Sequence, residues 1–172
     1  MKRLIPVVSA MAVPVLALAA CGADTETSGS DGGSASGVIS ADDCADPEAV
    51  TAEITGELKV GWTAATSGPL ADAVGNVIEG MEARFAVENE AGGIGGVQLK
   101  VVVKDDAFNP ERAKANVGEL IQKEKVHVID TFGSGQLDAI ADDQNDQCVP
   151  VLFAQASVPA YRDIENFPWT TE

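Results

Sequence analysis

The order of apolar patterns along the chain predicts an α/β domain: a parallel sheet with helices on both faces. Three observations carry that expectation. Short β-tolerant runs alternate with stretches whose apolar residues recur every three or four positions. The connections between them are short and rich in Gly, Pro, Asn and Ser. The repeated strand–helix–strand order gives parallel strands joined by crossover helices.

Residues 58–63 are apolar and β-tolerant and read as the first strand. After the Ser67-Gly68-Pro69 turn, Val74, Ile78, Met81 and Phe85 fall on one face of a helix, spaced by four, three and four. Gly92-Gly93-Ile94-Gly95-Gly96 ends that helix. Val97, Leu99, Val101 and Val103 then alternate along a second strand. Asn109-Pro110 is a helix start, an N-cap followed by proline at the first helical position, and Ala113, Val117, Leu120 and Ile121 form the apolar stripe behind it. A third strand is predicted over 126–130, a third helix from Leu137 to about Gln144, and a fourth strand over 149–153. Pro150 sits at the start of that last strand, where a missing donor is tolerated. The chain stops in Phe167-Pro168-Trp169-Thr170-Thr171-Glu172, and these apolar residues read as a truncated domain.

Ahead of the domain, residues 1–20 have the three parts of a secretory leader: Lys2 and Arg3, an apolar stretch, then small residues. The ending Leu18-Ala19-Ala20-Cys21 resembles the bacterial lipobox, in which the cysteine is diacylated and becomes the first residue of the mature protein. Pro6 and Pro14 and the shortness of the apolar run disfavour a membrane span. Two acyl chains on Cys21 would hold the protein at the extracytoplasmic face of the cell membrane. Residues 22–40 are Gly, Ser, Ala, Thr and Asp with little apolar content, a flexible tether. The organisation expected is leader 1–20, tether 21–45 and domain 56–172. Export leaves Cys44 and Cys148 in a disulfide-permissive compartment, either bridged or as two buried thiols.

The net charge of -16, from 11 Lys+Arg against 27 Asp+Glu, argues against a nucleic-acid partner, since phosphate would be repelled. In a parallel sheet of this kind ligands bind outside the carboxyl ends of the strands. After the third strand stands Asp130-Thr131-Phe132-Gly133-Ser134-Gly135-Gln136, where glycines allow close backbone approach and the amides at a helix start favour an anion. Ser134 adds a hydroxyl. Gln155-Ala156-Ser157 after the fourth strand and Thr66-Ser67-Gly68-Pro69 after the first offer similar groups. Gly92 to Gly96 follows a helix and precedes a strand, the reverse of a dinucleotide fingerprint. Asp105-Asp106, with no His or Cys beside them, read as turn residues that help cap the next helix rather than as metal ligands. The only histidine, His127, lies inside a strand away from the ligand edge. No catalytic residues, metal or cofactor are expected, so the chain reads as a binder rather than an enzyme.

From about Leu58 onward the chain resembles the leucine/isoleucine/valine-type periplasmic binding proteins of ABC importers. The resemblance rests, in order, on Lys59-Val60-Gly61, Thr66-Ser67-Gly68-Pro69, Asn89-Glu90-Ala91-Gly92-Gly93-Ile94-Gly95-Gly96, Lys104-Asp105-Asp106, Asn109-Pro110, Ser134, Val149-Pro150-Val151 and Ala156-Ser157. It implies the N-terminal lobe of a two-lobed, type I fold that closes on a ligand and delivers it to the importer's membrane subunits. It also implies that Ser134 and Ser157 grip the α-carboxylate and ammonium of an amino acid, with Gln155 and Ala156 supplying backbone. Gly135 stands where a second hydroxyl is common, and Leu70-Ala71-Asp72-Ala73 lacks the aromatic that several members place there. Leu, Ile, Val, other amino acids, amides, urea and aromatic acids all stay open as ligands. Two other functions share the fold: a ligand-sensing receptor ectodomain and an exported Rossmann-like enzyme.

Overall fold

In a computed structural model of the chain, which describes residues 39–152 and 155–170, the sheet is built around β1 (Glu57–Ala64). β2 (Gln98–Asp105) runs parallel to it, in register from Glu57 opposite Gln98 to Ala64 opposite Asp105. On its other side β3 (Val128–Thr131) pairs from Val60 opposite Val128 to Thr63 opposite Thr131, giving the order β2-β1-β3. The leader, Cys21 and most of the proposed tether lie outside the described residues.

The helices are α1 (Pro47–Thr51), α2 (Ala71–Glu90), α3 (Pro110–Gln122) and α4 (Ser134–Asp146). The chain steps from β1 outward to β2, then back across β1 to β3. Right-handed crossovers therefore place α2 on one face of the sheet and α3 and α4 on the other. The core divides accordingly. Trp62, Ala64, Val74 and Ile78 form one cluster, with Val101 and Val103 against it. Ala113, Val117, Leu120, Ile129, Leu137, Ile140, Val151 and Tyr161 form the other, with Val102 against it. Val101 and Val103 facing one way and Val102 the other is the two-residue alternation of a strand buried on both sides. Gly61 is small because Val126 packs over it: a Cβ there would meet Val126 Cγ1 and Cγ2 at 3.0 Å.

Three elements depart most from the sequence expectation. β3 begins at Val128 rather than Val126. The amide of Lys59 donates to the ring Nδ1 of His127 at 3.0 Å, so a side chain replaces the backbone acceptor that would have extended the ladder. His127 is thereby structural, at the amino end of the strand. The α4 helix starts at Ser134, a turn before its first apolar residue Leu137, because Gly133 (φ 106°) makes the bend that frees the helical amides.

The fourth strand is reduced to Val151, bridged in parallel to Ile129 and to Thr170; Phe153 lies outside the described residues. Pro150 has no N–H to give, so its carbonyl accepts from Ile129 at 2.9 Å while Val151 donates to Trp169 at 2.9 Å, and a ladder does not continue.

The body also reaches back ahead of residue 56. Ser40 caps a 3-10 turn at Ala41–Asp43, and Asp46 caps α1 by accepting from Ala49 at 3.0 Å, with Pro47 at its first position. Ala45 donates to Asp146 at the end of α4 at 2.9 Å. Next to it a disulfide joins Cys44 to Cys148, with Cα atoms 5.5 Å apart and 104 residues between them in sequence.

Candidate functional site

The parallel register brings the carboxyl ends of β1, β2 and β3 level, so the turns that follow them share one edge. Across the first two turns the polar groups are occupied with one another. Ser67 donates to Asp105 twice, from its amide at 3.0 Å and from its hydroxyl at 2.8 Å, and Arg112 adds a guanidinium at 3.0 Å. The Ser67 hydroxyl, foremost, holds the Asp105 carboxyl well below the usual carboxylate range. The Ser67 turn is therefore a clamp between β1 and β2, and its hydroxyl is not spare for a ligand as the sequence suggested.

Asp106 is 1% exposed and accepts from Phe108 N at 2.7 Å and from Thr63 Oγ1 at 3.1 Å; burial pushes its carboxyl up. The helix cap itself is Asn109, accepting from Arg112 N at 3.0 Å. Among the described residues no group of three or more His, Cys, Asp or Glu is placed to hold a metal ion.

The start of α4 is different. Gly133 occupies the cap position and supplies no side-chain cap, and the first turn carries no acidic residue. The first helical amides of α4 have no partner within the helix, and the helix dipole adds partial positive charge there. Ser134 and Gly135 are both exposed at this end. Gly135 also lets the start of α3 come close, since a Cβ there would meet Pro110 Cγ at 3.2 Å.

Because Val151 pairs with Ile129, the segment after it lies beside the end of β3. Gln155 reaches across, donating to Asp130 Oδ2 at 3.5 Å, the outer limit of a hydrogen bond. Ala156 is half-buried against the α3/α4 core. The exposed Ser157 hydroxyl accepts from Arg162 Nη2 at 2.5 Å. A hydroxyl that accepts from a guanidinium keeps its own proton to donate, so this pair suits an anion.

Burial raises the Asp130 carboxyl to about 6, and its Oδ1 is buried without a hydrogen-bond partner among the described residues. The same holds for Thr131 Oγ1 and Gln136 Nε2. Gln144 and Asn145, at the far end of α4, carry unmet side-chain atoms as well.

Two features escaped the sequence reading. Arg162 was visible only as the sole Lys or Arg after Lys125. Phe108 and Phe132 lie 45% and 41% exposed, with ring centroids 6.1 Å apart.

In a parallel α/β unit of this kind, ligands bind outside the carboxyl ends of the strands. Residues 57–172 match the family described as periplasmic binding protein, and the chain belongs to that family. The Leu/Ile/Val-binding protein of Escherichia coli K12 is 29% identical over 103 residues, which cover 60% of this chain and 28% of that one. The solute-binding protein of an ABC transporter from R. palustris, solved in complex with 4-hydroxybenzoate, is 29% identical with a TM-score of 0.56, over 66% of this chain and 30% of that one. A possible leucine/isoleucine/valine-binding protein from Rhodopirellula baltica SH 1 shares the fold, with a TM-score of 0.59 at 23% identity, over 68% of this chain and 32% of that one. The matched region thus spans about a third or less of the length of each of these relatives.

Proposed function

We propose that the chain is an extracytoplasmic solute-binding lipoprotein, anchored through Cys21, that delivers an amino acid or similar small carboxylate to the membrane subunits of an ABC importer. Residues 56–172 would supply most of its first ligand-binding lobe; of the stretch 21–45 expected as tether, Cys44 and Ala45 are instead joined to Cys148 and to the end of α4. The observation that carries this reading is the start of α4, where an uncapped helix end presents exposed Ser134 and Gly135 at the strand-end edge. Ser157, backed by the Arg162 guanidinium, supports the same polarity of ligand from the neighbouring turn. The relatives agree in chemistry: one is named for Leu, Ile and Val and another was solved with 4-hydroxybenzoate, and all of these carry a carboxylate.

The test is made on the full-length protein. Ser134→Ala should weaken ligand binding by about 1–3 kcal/mol, the loss of a hydrogen bond to a charged group. An unchanged Kd in calorimetry would place the site elsewhere. For the anchor, mass spectrometry of the membrane fraction should find Cys21 as a diacylated N-terminus, and an unmodified peptide running through Cys21 would refute it.

A further inference from the structure

β2 is an edge strand: β1 lies on one side of it, and its other side meets no strand among the described residues. Its residues alternate in the direction of their backbone groups. Gln98 donates to Gly56 and, just past the strand, Asp106 donates to Ala64, each at 2.9 Å, so the even-numbered residues bond towards β1. Leu99, Val101, Val103 and Asp105 therefore turn their N–H and C=O groups outward. A free edge of this kind is a template for another strand, and its middle is a run of valines, Val101-Val102-Val103.

Side chains occupy both ends of that edge. Asn89, in the last turn of α2, meets Leu99 twice: its Nδ2 donates to the Leu99 carbonyl at 2.8 Å, and its Oδ1 accepts from the Leu99 amide at 2.7 Å. A carboxamide carries donors and an acceptor side by side, so it stands in for the N–H and C=O of a residue on a neighbouring strand. At the other end, Arg112 Nη2 and Asn116 Nδ2 both donate to the Asp105 carbonyl at 3.1 Å. Between these two plugs, the outward groups of Val101 and Val103 have no partner among the described residues.

We infer that Asn89 guards this edge, keeping β2 from pairing antiparallel with β2 of a second copy of this chain. Few registers are open to such a pair, because outward residues can exchange bonds only with outward residues. Centred on Lys100, Val102 or Lys104, the pairing sets lysine directly opposite lysine, a repulsive placement. Centred on Val103, it needs the Asp105 carbonyl, which Arg112 and Asn116 hold. Centred on Val101, it sets Val101 against Val101 and Leu99 against Val103, with each Lys100 opposite Val102. That register has no opposed lysines, and Asn89 blocks it by holding both backbone groups of Leu99.

The experiment uses the full 172-residue chain, isotope-labelled and solubilised in mild detergent. Amide exchange of the unsubstituted protein, followed by NMR, should find Leu99 slower than Val101 and Val103 by roughly ten-fold or more. Val101 and Val103 amides as protected as Leu99 would show that the edge is already covered, and would overturn the inference whatever the variants do. In sedimentation, Asn89→Ala should convert the monomer to a concentration-dependent dimer, with the amides of Leu99, Val101 and Val103 slowing as the dimer forms. Asn89→Asp keeps an acceptor for the Leu99 amide, and so more of the native contact, while freeing the carbonyl. It should dimerise more weakly than Asn89→Ala and more strongly than the unsubstituted protein. Folded variants that stay monomeric, or that associate without slowing these three amides, would overturn the inference.

Discussion

Replacing Cys44 and Cys148 together by alanine removes a cross-link between residues 104 apart. In the unfolded chain, a closed loop of that size has lost conformational entropy worth about 4.7 kcal/mol at 25 °C. The native side offsets part of this. Cys44 lies in the segment ahead of β1, which is otherwise joined to the end of α4 by the Ala45–Asp146 hydrogen bond of 2.9 Å. Once the bridge is gone, that segment can leave the body while the sheet and its two cores persist. The expected loss is therefore about 2–4 kcal/mol, below the full loop value. Urea unfolding followed by the fluorescence of Trp62, which is fully buried, reads it directly. With a slope of about 1–3 kcal/mol per molar urea, the midpoint should fall by roughly 1–2 M, and reduction of the unsubstituted protein should reproduce most of that fall. A midpoint unmoved by either treatment, with free thiols at both positions in a non-reduced digest, would refute the reasoning.

Other perturbations test the ends of the strands. Burial lifts the folded Asp130 carboxyl to about 6, above the unfolded value near 3.9, so the folded state holds the proton more tightly. Its stabilising effect is complete below about pH 4 and is lost as pH rises to about 6. Asp130→Asn should remove that slope and raise stability at pH 7 by about 1–2 kcal/mol; urea midpoints whose pH dependence is unaltered by the substitution would contradict it. Gly93 has φ 75° and a Cβ there would run into the Val97 carbonyl, so Gly93→Ala should cost about 2–4 kcal/mol. Gly95, with φ 60° and open space around it, should lose only about 1–2 kcal/mol as alanine, and equal losses at the two sites would show that the steric argument is wrong.

How much of this was legible beforehand can be argued from particular residues. Alternation along Val97 to Val103 and the spacing of Val74, Ile78, Met81 and Phe85 are local patterns, and they placed β1, β2 and α2 to within a few residues. Asn109-Pro110 marked the start of α3 for the same reason, since cap and proline act on their own turn. Ser134 and Gly135 could be placed at the strand-end edge because a glycine turn after a strand and before a helix is a local signal.

The partners of Ser67, Gln155 and Ser157 could not be read in the same way. Ser67 spends its hydroxyl on a residue 38 positions away, and Ser157 meets Arg162 only because the chain turns back after Val151. The failed fourth strand has a like origin: Pro150 was seen, but the positions of Ile129, Trp169 and Thr170 around Val151 were not.

By itself, then, the sequence determined that β1 to β3 and α2 to α4 form, and which faces they bury, and it pointed to the strand ends as the candidate ligand edge. These follow from the period of each element and from the preferences of Gly, Pro and Asn in turns. Tertiary structure alone decided that His127 would stop β3, that Ser67 would serve Asp105, and that Phe108 and Phe132 would meet in the open beside Gly133. Each depends on the distance between atoms far apart in the chain, and no local pattern of residue types encodes that distance.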